Sequence, residues 1–310
     1  NGVIVITTKQ GKKGKTNFNF SASAGFQNDA IEGPKMLKAS EQEELYYEAL
    51  FNTYGEQFQF GRDEAMDFYK DNPNFFGDDW TVWNENGRQE GNWADVITNK
   101  NALLQDYNFS ASGGDEVSSF YAALGYYGAD ATVIGSSFRR YNGNLNYSRS
   151  FGENFNFSTT NSVANTLQDG LLETSAYFAS PRTAKYFMTP RAQPYNADGS
   201  INIDDIRATT SVRNPIWIAE NDINENRLTR FLSNNSLSWN TPIENLRFTT
   251  RLAMDYLIYN DKTYQNRIHG DGQSTNGYAY RANRENFNYV FQNSLDYILT
   301  AGDDHTFTLQ

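Results

Sequence analysis

The sequence predicts an all-β fold, a transmembrane antiparallel β-barrel that the chain covers only in part. First, segments of about ten residues alternate apolar and polar side chains, so that each strand has one apolar and one polar face. Second, these segments recur at about the length that crosses a bilayer as a tilted strand. Third, short and long connections alternate between them, as in barrels whose turns are short at the periplasmic rim and long at the outer rim.

Composition excludes several other classes. The 310 residues carry a net charge of −11, which argues against a nucleic-acid-binding protein. Only 38% of the residues are hydrophobic, and no run of about 20 apolar residues exists, so helices do not span a membrane here. The 20 Tyr and 22 Phe suit aromatic girdles at the two membrane interfaces, and the absence of cysteine excludes disulfides and thiolate metal sites.

The N-terminal part predicts a buried strand, a linker and then the first barrel strand. Residues 3–8 form a β-branched run of the kind that is buried on both faces, and residues 10–15 form a short basic linker. Residues 16–26 alternate strictly and form the first amphipathic strand. The chain starts in one apolar strand and ends in another, 305–310, so we expect it to be the middle of a longer protein.

The long segment 27–103 shows little alternation and predicts two helices. Ser40 and Glu43 form a capping box ahead of residues 44–50, and a second helix covers residues 63–70. Seven more amphipathic strands follow, of which the fifth is the least regular: 104–112, 118–127, 138–150, 154–166, 228–240, 246–260 and 285–300.

The connections between these strands fall into two classes that alternate along the chain. The short ones are residues 113–116, 151–153, 241–245 and 301–304. The long ones are residues 27–103, 128–137, 167–227 and 261–284. This alternation favours a barrel over a soluble β-sandwich, which has no reason to separate short from long connections by rim.

Several stretches resemble one family. Residues 1–9, Asn-Gly-Val-Ile-Val-Ile-Thr-Thr-Lys, resemble the last plug strand of SusC/RagA-type TonB-dependent outer-membrane transporters, which typically ends in an NGVIxITTKxG run. Residues 108–114, Asn-Phe-Ser-Ala-Ser-Gly-Gly, are similar to the hairpin between the second and third strands of that family. Weaker similarities lie at Tyr121, 124–126, 138–141, 144–146, 214–215 and the strand that starts at His305.

The resemblance implies an architecture and a function. The complete barrel then has 22 strands with the plug folded inside; residues 1–15 supply the end of the plug and its linker, and residues 16–310 supply eight strands and the start of a ninth. The implied function is TonB-dependent active import of a glycan or peptide nutrient across the bacterial outer membrane. The implied partners are a SusD-like surface lipoprotein, TonB through a segment outside this chain, outer-membrane lipid and a second transporter–lipoprotein pair.

Two other functions stay open from the residues alone. One is a passive porin or adhesin barrel, and the other is a soluble carbohydrate-binding β-protein. The strand at residues 3–8 and its basic linker favour a plugged transporter over a porin. Solubility without detergent would favour the third class.

The residues predict no enzyme, no cofactor and no metal site. The two histidines, His269 and His305, lack ligand spacing, and no Ser/His/Asp arrangement is readable. The adjacent carboxylates at 78–79, 204–205 and 303–304 are typical of solvated turns. Gly270-Asp271-Gly272 is a turn, because no strand-to-helix context makes it a phosphate loop.

Two groups of residues are candidates for cargo binding. Tryptophan rings in the long loops suit stacking on sugars or packing on a partner, although a loop this long also needs a core of its own: Trp80, Trp83, Trp93 and Trp217. Charged side chains on the polar side of the strands are expected to line the lumen, either as contacts or as a salt-bridged wall: Arg140, Arg247, Arg251, Asp255 and Asp296.

Overall fold

The computed structural model describes residue 9 and residues 11–31, 33–58, 61–71, 79–170, 180–203, 213–301 and 305–310. Within these residues, nine strands form a single sheet in the order of the chain, β1 to β9. Their bounds are β1 Gly14–Gln27, β2 Ala102–Gly114, β3 Ser118–Asp130, β4 Ser137–Phe151, β5 Phe155–Asp169, β6 Ile223–Asn240, β7 Leu246–Gln265, β8 Tyr278–Ala301 and β9 His305–Leu309.

Each strand pairs antiparallel with the strand before it in the chain. The register is continuous except for a shift between Gly14 and Asn17 of β1. Because directly opposite residues share a face, one row of side chains can be followed across the whole sheet. The predicted antiparallel wall is therefore confirmed, while the predicted strand at residues 3–8 lies outside the described residues.

Several strands extend further than the alternation predicts. β6 begins at Ile223 rather than at residue 228, β7 runs to Gln265 rather than to 260, and β8 begins at Tyr278 rather than at 285. At these ends the apolar side chains no longer keep to one face, so the alternation fades although the backbone ladder continues. As a result the connections 131–136 and 266–277 are shorter than the predicted 128–137 and 261–284, and the second contains a 3-10 helix, Asp271–Thr275.

One face of the sheet, which we call the apolar face, carries the large exposed hydrophobic side chains. Phe20, Phe109, Leu124, Val163 and Phe231 lie on it in strands β1, β2, β3, β5 and β6, and all are exposed. Exposed hydrophobic side chains on one continuous face are what a lipid-facing barrel wall requires.

Aromatic rings bound the apolar face at two levels. Near the end where the long connections emerge, Tyr126 contacts Tyr107 at 6.1 Å and Tyr141 at 5.0 Å between ring centroids. Near the other end, Phe155 stacks on Trp239 at 5.9 Å. Between Tyr141 and Phe151, β4 spans about 25 Å if it is tilted by about 40°, which is the height of a barrel's lipid-facing band.

The described parts of the long connections contain six α-helices: α1 Ala39–Phe58, α2 Arg62–Asp71, α3 Asp79–Glu85, α4 Trp93–Ile97, α5 Pro181–Phe187 and α6 Pro215–Asn221. In that part of the chain no helix is long and apolar enough to cross a bilayer. The sequence predicted α1 and α2 but not the four short ones. α3 to α6 have five to seven residues each, too few for a helical periodicity to show.

The start of α1 differs from the predicted capping box. The helix begins at Ala39, and the side chain that reaches back is Glu41, whose Oε2 accepts from the backbone N–H of Lys38 at 2.8 Å. Ser40 lies inside the helix, and Glu43 instead accepts from the Tyr47 hydroxyl at 2.6 Å. Only one half of a capping box is therefore formed, the bond from the N-cap N–H to the carboxylate three residues later, and it is displaced by two positions.

The two long connections pack into small cores of their own. One core joins α1 to α3 through Ala39, Tyr47, Leu50, Trp80 and Trp83. The other joins α4, α5 and the β3–β4 connection through Trp93, Ile97, Val133, Ala184, Met188 and Ala192. The second core contains residues from three separate connections, so it fixes these segments to one another at one end of the sheet.

Candidate functional site

The second face of the sheet, the polar face, carries all five charged residues that the sequence predicted to be inward. Arg140 lies on it in β4, Arg247, Arg251 and Asp255 in β7, and Asp296 in β8, as the strand registers place them. Asn146 of β4 lies on the same face, and its Nδ2 donates to the carbonyl oxygen of Lys9 at 2.6 Å. The segment that precedes β1 therefore runs across this face.

Close packing of that segment is also visible at Gly11. A Cβ at this position would collide with the backbone oxygen, nitrogen and carbonyl carbon of Phe120 in β3. Only glycine allows the chain to approach the strand so closely. Residues 9 and 11 thus lie against β3 and β4, while the plug and the identity of the polar face as the lumen stay predictions.

A bidentate ion pair on the polar face involves an arginine that the sequence did not single out. Arg230 of β6 donates through Nε and an Nη to the two carboxylate oxygens of Asp255, at 2.9 and 2.8 Å. This bidentate geometry fixes both side chains. Arg247 lies directly opposite Asp296 in the β7–β8 register, whereas Arg251 lies opposite Gln292. Arg230 was missed because the irregular alternation of β6 hid which of its residues point inward.

A large cavity lies on the polar face at the end where the long connections emerge. It has a volume of about 780 Å³, which falls within the usual size of ligand sites. Its polar-face lining includes four side-chain amides, one ring and one carboxylate: Gln27, Gln168, Asn224, Asn226, Phe138 and Asp261. Amides both donate and accept hydrogen bonds, so the cavity suits a ligand rich in hydroxyls or peptide groups.

The row of polar-face residues next to this cavity combines arginines with tyrosines. The guanidinium of Arg140 lies 5.6 Å from the ring centroid of Tyr127, and that of Arg284 lies 5.8 Å from that of Tyr259. Both distances suit cation–π contacts. Arg140 was a predicted inward residue, whereas Arg284 was not, because it precedes the segment 285–300 that alternation marked as a strand.

Three of the four predicted tryptophans lie inside the cores of the long connections. Trp80 is 2% exposed, Trp83 is 1% exposed and Trp93 is 3% exposed. The indole N–H of Trp93 donates to the carbonyl oxygens of Thr189 and Ala192, both at 3.1 Å. In this arrangement the three rings hold the connections together, so a stacking role for them stays a prediction that requires the connections to open.

Two arginines make cation–π contacts with the pair Trp80 and Trp83. The guanidinium of Arg88 lies 4.1 Å from the ring centroid of Trp83, and that of Arg191 lies 5.4 Å from that of Trp80. Arg191 is buried and also donates to Gln42 Oε1 at 3.0 Å. Arg191 belongs to the second long connection, 170–222, whereas Trp80 and Gln42 belong to the first, 28–101. The contacts of Arg191 therefore hold the two long connections together.

Trp217, the fourth tryptophan, is only partly buried and belongs to a buried polar cluster between two connections. Its indole N–H donates to Asn266 Oδ1 at 3.1 Å. In the same cluster the backbone N–H of Asn214 donates to His269 Nε2 at 2.8 Å, and His269 is fully buried. His269 is therefore a structural residue of this cluster.

Two carboxyl groups of this cluster titrate above their ordinary range. Burial, followed by the nearby charge of Asp271, raises the pKa of Asp222, although hydrogen bonds from Asn266 oppose the rise. Burial also raises the pKa of Asp271, against the lowering effect of Arg213. The negative charge of Asp271 thus makes the ionised form of Asp222 less favourable. In the described part of the chain, no group of three or more His, Cys, Asp or Glu residues has the arrangement of a metal site.

Comparisons with known proteins agree with this architecture. No family model matches the chain. A TonB-dependent receptor of Formosa agariphila is 27% identical over 312 residues, which cover 99% of this chain and 27% of the receptor. The structure of the RagAB peptide importer in its open-open state aligns with 97% of this chain and 34% of its own, at a TM-score of 0.71 and 19% identity.

A second state of that importer aligns equally well. Its closed-closed structure gives a TM-score of 0.68 at 18% identity, with the same shares of the two chains covered. The chain thus spans about a third or less of the proteins that it matches. The nine-stranded sheet is one part of the wall of a transmembrane β-barrel, and the relatives are named as a receptor and an importer rather than as enzymes.

Proposed function

We propose that this chain, a segment of a SusC/RagA-type TonB-dependent transporter, belongs to an outer-membrane protein that actively imports a peptide or glycan nutrient. The cavity of amide side chains on the polar face carries the proposal. A wall that is apolar outside and rich in amides inside separates lipid from a hydrated path, and amides can bind successive polar groups of a cargo.

Active import, rather than passive diffusion, is supported by the N-terminal segment on the polar face. The carbonyl oxygen of Lys9 accepts a hydrogen bond from the side chain of Asn146, and Gly11 packs on the backbone of Phe120. A plug inside the barrel has to be displaced before cargo passes, and in our proposal TonB does this through a segment outside residues 1–310. The porin alternative lacks such a segment and has no observation in its favour.

A surface lipoprotein of the SusD type is the second part of the proposal. α1 presents Leu45 and Phe51 to solvent, 50% and 43% exposed, and α2 presents Phe68. Exposed apolar side chains among acidic ones are typical of a surface that another protein covers. In the proposed assembly, the lipoprotein closes over the long connections, and two transporter–lipoprotein pairs associate.

The experiment measures uptake of labelled peptides and oligosaccharides by cells that carry the full-length protein, with TonB present and with TonB deleted. We expect uptake of one cargo class to depend on both the protein and TonB. Equal uptake without TonB would identify a passive channel and contradict the proposal. Co-purification of the detergent-solubilised protein tests the lipoprotein partner separately, and Leu45→Asp with Phe51→Asp is expected to weaken that association.

A further inference from the structure

The polar face contains one apolar slot that the proposed import path does not yet account for. It is a cavity of about 410 Å³ between β6, β7 and β8, lined by Leu228, Leu257, Tyr259, Arg284, Glu285 and Asn286. The register places Glu285 on the opposite, apolar face, where its Oε2 accepts from the Tyr256 hydroxyl at 2.9 Å. Leu228, Tyr259 and Arg284 follow one another in register across the three strands. Leu228 and Leu257 place two large aliphatic side chains close together on a face that is rich in amides, hydroxyls and charges.

Arg284 gives this slot a positive edge. Its guanidinium lies 5.8 Å from the ring centroid of Tyr259, and its side chain is exposed. Among the described residues, no carboxylate oxygen lies within ion-pair distance of Arg284. By contrast, Nε and one Nη of Arg230 on the same face donate to the two carboxylate oxygens of Asp255. A guanidinium without a carboxylate partner keeps its N–H groups available for a bidentate acceptor.

We propose that this slot binds the carboxyl-terminal residue of a peptide cargo. The apolar side chain of that residue packs on Leu228, Leu257 and Tyr259, while its carboxylate accepts two hydrogen bonds from Arg284. The inference rests on the proposed import function and narrows its cargo to peptides with an apolar last residue and a free carboxylate. Leu228 and Leu257 offer no side-chain partner to a hydroxyl, so the slot suits an amino-acid side chain better than a sugar ring.

The amide-lined cavity continues this binding surface outward. Asn226 lines the larger cavity and its Oδ1 accepts a hydrogen bond from the hydroxyl of Tyr259, which lines the slot, so the two cavities are neighbours. A peptide that places its last residue in the slot brings its preceding peptide groups to Asn224, Asn226 and Gln168. Side-chain amides match peptide N–H and C=O groups of any sequence, so specificity resides in the slot.

The experiment compares two forms of one short peptide that ends in leucine, the free acid and the carboxyl-terminal amide, by binding to the purified full-length transporter. We expect the acid to bind about tenfold more tightly. Arg284→Gln should remove this preference and leave binding of the amide unchanged. Arg284→Lys keeps the charge but not the planar fork, so it should restore only part of the preference.

Arg281→Gln is the matched control, because Arg281 lies three residues away on the apolar face of the same strand. It should keep the full preference. Equal binding of acid and amide by the unaltered protein, or equal loss of both with Arg284→Gln, would overturn the inference. So would tighter binding of an acidic oligosaccharide than of the peptide acid. TonB-dependent uptake of the amide form would in each case leave the proposed import function standing.

Discussion

At the scale of single residues, neighbours in one strand meet opposite environments. Leu252 of β7 lies on the apolar face between Asn235 and Phe291, well inside the band bounded by the aromatic rows. Ala253 lies on the polar face, between Asn234 and Val290. A charge introduced at Leu252 therefore has to enter the hydrocarbon of the membrane, whereas a charge introduced at Ala253 enters the hydrated side of the sheet.

The first prediction follows from this pair. Leu252→Arg should lower the free energy of unfolding in lipid by about 2–4 kcal/mol, the usual cost of a lipid-facing cation near the bilayer midplane. Ala253→Arg is the matched control and should cost much less. A denaturant titration of the full-length protein in lipid vesicles measures both. The reverse ranking would mean that the two faces of the sheet are exchanged.

Single residues also show where sequence reasoning stopped. The four tryptophans are conspicuous in the sequence, but whether a ring is exposed or buried depends on partners far along the chain. The indole N–H of Trp93 donates hydrogen bonds to the carbonyl oxygens of Thr189 and Ala192, nearly a hundred positions further along the chain. Arg284 was missed for a related reason, since only the register of β8 against β7 places it beside Tyr259.

At the scale of elements, the connections 213–222 and 266–277 are joined by buried polar contacts that respond to pH. Asp222 Oδ1 accepts from the backbone N–H and the side-chain Nδ2 of Asn266, at 2.8 and 2.6 Å. Its raised pKa means that the folded connections bind more protons than the unfolded ones at mildly acidic pH. Their stability therefore rises as the pH falls through the raised pKa, and levels off below the ordinary pKa of an aspartate.

The second prediction uses Asp222→Asn to isolate this effect. In the unaltered protein, the free energy of local opening of residues 213–222 and 266–277 should rise relative to the variant as the pH falls from neutral towards about 4, the ordinary pKa of an aspartate. Hydrogen exchange, corrected for intrinsic rates, measures it. Only the difference between the two proteins counts, because Asp271 in the same cluster also has a raised pKa. If the free energy of opening of the unaltered protein fell relative to that of the variant as the pH fell, the raised pKa of Asp222 would be contradicted.

Strands were easier to predict than helices. A strand that separates lipid from a polar interior must alternate, so the sequence of β7 or β8 carries its own signature. The helices of the connections need no such signature. α4 has five residues and is held by contacts with α5 and the β3–β4 connection. No local sequence pattern predicts these contacts. The strands were predicted too short because the alternation fades where apolar side chains, such as Tyr280, no longer keep to the apolar face.

At the scale of the whole molecule, the long and short connections emerge at opposite ends of the sheet. The antiparallel order sends residues 28–101 and 170–222 to one end, and the turns 115–117, 152–154 and 241–245 to the other. The division of the chain at residue 15, between plug and barrel, stays a prediction, although β1 already begins at Gly14.

The third prediction concerns orientation in the membrane. In intact cells, a protease or an impermeant label should reach residues 28–101 and 170–222, because the long connections of such barrels face outward. The three short turns should react only after the outer membrane is permeabilised. Single-cysteine variants at Ser200 and Glu244 provide a matched pair, since the native chain has no cysteine and both positions are exposed. Labelling of Glu244→Cys in unbroken cells would invert the topology.

The strand order has a consequence for how the wall assembles in time. Every strand pairs with its predecessor, so each new pairing requires only the closure of the connection just made. Closing a connection costs conformational entropy that grows with its length. The hairpins β2–β3, β4–β5 and β6–β7 should therefore form early, and the joins β1–β2 and β5–β6, which span the long connections, should form late. The sheet would grow from preformed two-stranded units, and the cores of the long connections would consolidate last.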